Sequence, residues 1–279
     1  MGTVILLGGS GVTDSPGFEG LDWQRYDTKF SNGFGNGEIY FQERDLGEGN
    51  RVIFIPRHGG HGKSIRFGPV QTQYGANLIT AKRLCMERDG EDTPGLVVAT
   101  SAVGSLGTYP VGSLVISSDF VDESGRSSNV FGRGFIVHAA PRPPFSQRVI
   151  DLLTKVGYGS SSFGFKSVHQ NATYVCIPGN RFSTATEGKR RARLVESCGV
   201  VGMTACPEAE IALELGLHYA IAAVPVDRDS DANHGTTVEV MSRLSEPDKF
   251  PAYIEEVVQK AVGLAEEVRA IPQLRRNII

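Results

Sequence analysis

The sequence predicts a three-layer α/β fold in which a central sheet lies between helices, built as one domain over residues 1–279. Short apolar runs alternate with helical patterns along nearly the whole chain, which is typical of α/β domains. Several runs contain only Val, Ile, Leu and Ala, as in strands that are covered on both faces. No repeat and no low-complexity linker divides the chain.

The predicted elements follow one another with short connections. Strands are expected at residues 4–7, 39–42, 52–55, 96–100, 114–117, 135–138, 174–177 and 220–224. Helices are expected at 74–88, 144–156, 187–198, 207–216 and 251–269, the last with apolar residues three and four positions apart. Polar or glycine-rich loops are expected at 89–94, 124–134 and 158–170.

Composition excludes several classes of protein. Hydrophobic residues make up 40% and charged residues 21%, which excludes a disordered chain. The net charge of -3 provides no basic excess for a nucleic-acid backbone. No apolar run approaches the roughly 18 residues of a membrane helix. The start of the chain resembles a strand rather than a signal peptide, so we expect a cytoplasmic protein.

The cysteines have no CxxC spacing, and Cys85, Cys176, Cys198 and Cys206 all lie in apolar or helical surroundings. Reduced thiols in the core are expected, with disulfides or a zinc site as the alternatives.

Four segments place polar or glycine residues at the ends of predicted strands, where α/β sheets bind ligands. The first is GGSG at 8–11, where glycine backbone and the Ser10 hydroxyl suit an anion, although a plain turn is an equal alternative. The second is PRHGGHG at 56–62, where the Arg57 fork suits phosphate and His58 can donate a further hydrogen bond. A satisfied loop is the alternative there.

The third segment is TSAVGSL at 100–106, which offers hydroxyl groups and small residues, or a helix cap in the simpler interpretation. The fourth has two parts, at 179–184 and 202–208. Phe182 is either a stacking surface for a planar base or ordinary core, and Thr204 is either a ligand or a plain helix cap. The carboxylates Asp227 and Asp229 follow a predicted strand.

Together these segments resemble the trimeric nucleoside phosphorylases, and within them the methylthioadenosine phosphorylase branch. The motifs are GGSG, PRHG, YGAN at 74–77, TSAVGSL, Pro144-Phe145, RFST, GMTACPEAEIALELG and DRD. They occur in the family's order from residue 5 to about residue 244. The resemblance implies a twisted mixed sheet with flanking helices, and phosphorolysis of a purine nucleoside with an apolar 5′ group.

The resemblance also implies roles for single residues. The implied phosphate site contains Ser10, Arg57, His58, Ser101, Ala102 and Thr204. The implied nucleoside site contains Phe182, Ser183, Met203, Asp227, Asp229, Val240 and His138. Catalytic roles fall to Asp227, Ser10 and Thr204, with Asp227 as the acid that assists the leaving base. Burial beside Asp229 would favour the raised pKa that such an acid needs.

Several features of the implied site bear on its substrate. Asn180, Val226 and Arg228 depart from the family pattern beside the base. Val240 stands where phosphorylases of ordinary nucleosides carry a histidine for the 5′-hydroxyl, which favours an apolar 5′ group. Phosphorylases of 6-oxopurine nucleosides and nucleoside hydrolases are the alternatives, and a non-catalytic binding protein is a third.

The resemblance extends to cofactors and partners. Inorganic phosphate is the expected co-substrate, with no cofactor and no metal. We expect a homotrimer or a dimer of trimers, no nucleic acid and no membrane. The family's neighbouring subunit closes the nucleoside site with a segment that matches His138 and Phe145.

Overall fold

The computed structural model describes residues 2–9, 17–29, 37–60, 67–90, 93–128, 130, 138, 143–229, 239–240, 242 and 245–268. The described strands are β1 (Thr3–Gly8), β2 (Gln24–Thr28), β3 (Gly37–Gly47), β4 (Asn50–Pro56), β5 (Leu96–Ser105), β6 (Leu114–Asp122), β7 (Val168–Cys176), β8 (Gly199–Gly202) and β9 (His218–Arg228). The helices are α1 (Tyr74–Asp89), α2 (Gln147–Gly159), α3 (Ala185–Leu194), α4 (Ala205–Leu215) and α5 (Phe250–Glu267).

The strands form one mixed sheet in the order β2-β3-β4-β1-β5-β8-β7-β6-β9. β5 also pairs with β9, so that β5, β8, β7, β6 and β9 close into a ring. The first half of β5 lies between β1 and β9, whereas its last two residues lie between β8 and β9. Residues 100–103 therefore pair only with β9 among the described strands. Such a change of strand neighbours opens a crevice in an α/β sheet.

Helices flank the sheet and bury its apolar strands. α1 packs against α4, and α2 packs against α5. β1 is buried along its whole length, as are the last five residues of β4 and the first six of β5. The predicted three-layer α/β fold with a mixed sheet is confirmed.

The element boundaries differ from the sequence prediction in identifiable ways. β2 and β8 were not predicted, because β2 is a polar and largely exposed strand and β8 has only four residues. β7 begins at Val168 inside a predicted loop, since its first half is polar and half exposed. α3 ends at Leu194 rather than at Cys198, because Glu196 and Ser197 adopt positive φ angles.

Two further predictions concern the segment 135–138 and the four cysteines. The strand predicted at 135–138 lies outside the described residues except for His138, which is not in a strand. Cys85, Cys176 and Cys206 are buried as predicted. Cys198 is exposed, so its predicted core position is wrong.

Candidate active site

A cavity of about 360 Å³ opens beside the part of β5 that pairs only with β9. It is lined by ten of the predicted site residues, namely Arg57, His58, Ser101, Ala102, Phe182, Ser183, Met203, Thr204, Asp227 and Asp229. Residues 100–106 were expected after a strand, but β5 continues to Ser105. Ser101 therefore lies within a strand, and its alternative role as a helix cap is wrong.

Arg57 follows β4 directly and its side chain is 1% exposed. Its Nε donates to Oε1 of Glu208 over 2.5 Å, and its Nη2 donates to Oε2 over 3.1 Å. Nη1 donates to the carbonyl oxygen of Thr100 over 2.6 Å. Burial opposes the charged form of Arg57, but the Glu208 carboxylate outweighs it and raises the pKa of the guanidinium. Arg57 thus stays cationic, and the described residues use three of its five N–H groups.

His58 is buried and lies next to this ion pair in the chain. Burial, with the positive charge of Arg57, lowers the pKa of His58 to about 4. Its Nδ1 is 3.0 Å from Oγ1 of Thr72, which also lies within hydrogen-bond distance of the carbonyl oxygen of Gly68. Which of the two atoms, Nδ1 or Oγ1, donates to the other depends on the tautomer of His58. The donor role of His58 toward a ligand stays a prediction.

Hydroxyl groups are concentrated beside Arg57. Oγ of Ser101 is 3.1 Å from the hydroxyl of Tyr174. Burial is the main reason why the pKa of Tyr174 rises to about 12, so this phenol keeps its proton. Thr204 precedes α4 but makes no side-chain cap, and its buried Oγ1 lies beside the hydroxyl of Tyr174. A buried hydroxyl of this kind suits a ligand that accepts hydrogen bonds.

The two carboxylates lie at the carboxyl end of β9, Asp227 within the strand and Asp229 directly after it. Asp227 and Asp229 are each 5% exposed, whereas Arg228 between them is exposed, as strand alternation requires. Asp227 is paired with Gly104 of β5, where a Cβ would lie 2.9 Å from Oδ1 of Asp227 and 3.2 Å from Cβ of Asp229. Glycine at 104 therefore makes room for both acidic side chains.

The N-terminal turn of α3 packs on Asp229. A Cβ at Gly188 would lie 2.6 Å from the backbone oxygen of Asp229 and 2.9 Å from its Oδ2. The positive end of a helix dipole stabilises a nearby carboxylate. Thr184 caps this helix through a capping box with Glu187.

The other residues that line the cavity include both exposed and buried side chains. Phe182 is 56% exposed and lines the cavity, so it is not core. Asn180 and Val226, which depart from the expected pattern, also line the cavity. Arg228 does not.

Not every predicted residue reaches this cavity. Ser10 lies outside the described residues. Val240 is partly buried against the main hydrophobic core and His138 is exposed, and neither lines the cavity. Phe145, expected to serve a neighbouring subunit, is 1% exposed and stacks on Tyr219 within its own chain. That expectation is wrong for Phe145.

The structure also brings in residues that the sequence did not single out. Glu208, Tyr174 and Tyr219 surround Arg57 and are buried. Arg126 donates to the carbonyls of Met203 and Cys206 over 2.7 and 2.8 Å, and its guanidinium lies over the ring of Tyr74. These contacts join segments that are distant in the chain, so no local sequence pattern predicts the contacts. Among these residues, Glu208 does belong to a recognised motif, GMTACPEAE.

A family match identifies the class of enzyme, the phosphorylases. The family model of the Phosphorylase superfamily matches residues 3–267, and the chain belongs to that family. The predicted resemblance to nucleoside phosphorylases is confirmed.

Individual relatives point to one branch of this family. The S-methyl-5′-thioadenosine phosphorylase of Hyperthermus butylicus is 34% identical over 248 residues, covering 86% of this chain and 81% of that protein. The enzyme of the same name from Rhodospirillum rubrum is 31% identical, covering 91% and 81%. A crystal structure of a methylthioadenosine phosphorylase from an antarctic soil metagenomic library has a TM-score of 0.78 and 26% identity, covering 99% and 92%.

None of the helices formed by the described residues combines the length and the apolar character needed to cross a bilayer.

Proposed function

We propose that the chain catalyses phosphorolysis of 5′-methylthioadenosine, releasing adenine and forming 5-methylthioribose 1-phosphate. The observation that supports this most directly is the arrangement along β5. Ser101, beside Arg57, and Gly104, beneath the carboxylates, are three residues apart, roughly 10 Å along a strand. A ribose between a phosphate and a purine spans such a distance. The identity of the substrate is inferred from the names of the two relatives, which are S-methyl-5′-thioadenosine phosphorylases.

The phosphate is assigned to Arg57 and the hydroxyls of Ser101 and Thr204, with the backbone of Ala102 and with Ser10. A phosphate oxygen forms the new bond to C1′ while the bond from C1′ to the base nitrogen breaks, and the base keeps the electron pair. Sugar transfer of this kind passes through a cation-like ribosyl centre. Holding the phosphate in line beside that centre supplies catalysis by proximity.

The purine is assigned to the carboxylate side, between Phe182 and Asp227. Asp227 is proposed to donate a proton to N7 as the bond breaks, a contribution of about 10²–10⁴ in rate for general acids. Asp229, next to the N-terminus of α3, is proposed to accept from the 6-amino group. A 6-oxo group offers only an acceptor there, which disfavours 6-oxopurines. Met203 is assigned to the ribose.

We infer that the protein acts as a homotrimer in the cytoplasm, with phosphate as co-substrate and no metal. His138, which is exposed, stays the candidate that serves a neighbouring subunit. A monomeric mass by light scattering at micromolar concentration, with full activity, would contradict the trimer.

A substrate panel tests the proposal. Release of free base is measured from methylthioadenosine, methylthioinosine and adenosine in saturating phosphate. We expect methylthioadenosine to have the highest kcat/KM. Methylthioinosine turnover tenfold above methylthioadenosine turnover would overturn the 6-amino assignment.

A further inference from the structure

Arg191 lies behind the base side of the cavity and touches one of its lining residues. It belongs to α3 and is 6% exposed. Its Nη1 donates to Oγ of Ser183 over 2.8 Å, and its Nε donates to Oε2 of Glu123 over 2.8 Å. Ser183 is 9% exposed and lines the cavity. Arg191 thus ties the loop after β6 to the loop before α3.

The positive charge of Arg191 is matched by Glu123. Burial alone would raise the pKa of Glu123, but hydrogen bonds from Arg191 and Arg190 hold it below its usual value. The pair is therefore ionised near neutral pH. Arg190 binds the same carboxylate from an exposed position, and the hydrogen bonds of the described residues do not join it to Ser183.

The polarity of the bond between Arg191 and Ser183 is fixed by chemistry. A guanidinium can only donate, so Oγ of Ser183 accepts. The proton of Ser183 must then point elsewhere, and the hydroxyl donates to no side chain or backbone group of the described chain. A ligand atom in the cavity that accepts a hydrogen bond is the partner that this proton lacks.

Asp229 packs against the face of α3 that carries Arg191. Gly188, three positions before Arg191, packs on Asp229, and residues three apart lie on one side of a helix. The base side therefore combines one fixed donor, Ser183, with carboxylate acceptors.

We propose that Arg191 is a positioning residue that holds Ser183 as a hydrogen-bond donor to an unprotonated ring nitrogen of the purine. The inference rests on the proposed function, because it takes the base to lie beside Asp229. It adds to that function a selection for bases whose ring nitrogen on this edge is a bare acceptor.

Binding of free bases to the whole protein tests the role of Arg191 without relying on turnover. Adenine and its 1-, 3- and 7-deaza analogues, in each of which a C–H replaces one ring nitrogen, are titrated by calorimetry. 7-Deazaadenine lacks the nitrogen assigned to Asp227 and should bind more weakly for that reason. Of the 1- and 3-deaza analogues, the wild type should bind one about three- to tenfold more weakly than adenine, the size of one neutral hydrogen bond. That ratio should fall to about one in Ser183→Ala.

The decisive variant is Arg191→Lys, which keeps the charge beside Glu123 but loses the planar fork. We expect its melting temperature to stay near that of the wild type while the deaza ratio falls to about one. Arg190→Lys is the matched control and should keep the wild-type ratio. Arg191→Leu serves as the second variant. The double variant Ser183→Ala/Arg191→Lys should lose no more affinity for the base than Ser183→Ala alone.

Two results would overturn the proposal. One is an unchanged deaza ratio in Arg191→Lys with all bases bound equally weakly, which is the outcome of a purely structural role. The other is additive losses in the double variant. Turnover of methylthioadenosine is measured separately, and its absence would remove the proposed function while the binding ratios still decide the role of Arg191.

Discussion

Arg57 and Glu208 form a bidentate ion pair in the interior, although 151 positions separate them in the chain. Their side chains are 1% and 0% exposed. The hydroxyl of Tyr219 donates to the same carboxylate over 2.9 Å. Arg57 is therefore both a structural cation and the candidate phosphate ligand.

Removing one partner of this pair should cost more stability than removing both. Arg57→Met or Glu208→Met leaves a buried charge uncompensated, which typically costs about 3–5 kcal/mol. Arg57→Met/Glu208→Met should recover most of that free energy of unfolding, measured by urea denaturation, without recovering activity. A double variant less stable than either single one would contradict this account.

Arg57→Lys separates phosphate binding from nucleoside binding. One ammonium cannot serve Glu208 and an anion with the geometry of a planar fork. The KM for phosphate should rise at least tenfold, while the KM for the nucleoside changes little. Equal increases in both would indicate a general distortion of the cavity.

The stability of the protein should depend on the titration of His58. Its pKa is about 4 in the folded chain against 6.5 ordinarily, so folding favours the neutral form. That contribution is complete above pH 6.5, is lost as the pH falls toward 4, and amounts to about 3 kcal/mol. Urea denaturation at pH 7 and pH 4.5 should show the wild type losing more stability than His58→Gln. Parallel losses in both proteins would refute the assignment.

Gly104→Ala should impair the chemistry more than phosphate binding. Its Cβ would lie 2.9 Å from Oδ1 of Asp227, so the carboxylate must move. We expect kcat to fall at least tenfold, since a misplaced catalytic group is costly. Gly263→Ala is the control, because its Cβ meets open space. A fall in kcat of similar size in both variants would argue against the role of Gly104.

The sequence placed Val240 beside the 5′ group of the nucleoside, but the structure predicts a different effect of Val240→His. Val240 packs against the main core and does not line the cavity. The substitution should lower the free energy of unfolding by about 1–3 kcal/mol. The preference for methylthioadenosine over adenosine should stay unchanged, and an altered preference in steady-state kinetics would return Val240 to the 5′ pocket.

The sequence predicted the covered strands well and the exposed ones poorly. β1 and β4 are continuous apolar runs whose burial on both faces leaves a clear pattern. β2, with the sequence QRYDT, owes its form to pairing with β3 and carries no such pattern. β5 runs past its apolar part because β8 and β9 supply partners for Gly104 and Ser105.

The site shows the same division. Arg57, Ser101 and Asp227 were found because polar residues beside buried strands are conspicuous. Glu208 and Arg191 act through contacts with residues that lie far away in the chain or across a loop. The sequence does not show whether Arg57 is a free cation or part of an ion pair. The folded structure shows the ion pair with Glu208.

Phosphorolysis consumes inorganic phosphate, so turnover must depend on the phosphate concentration. Purified protein is given methylthioadenosine, and adenine and sugar 1-phosphate are quantified at a series of phosphate concentrations down to zero. Phosphorolysis predicts the two products in equal amounts, with a rate that saturates in phosphate and disappears without it. Equal release of adenine in phosphate-free buffer, with free methylthioribose as the second product, would show a hydrolase and contradict the account.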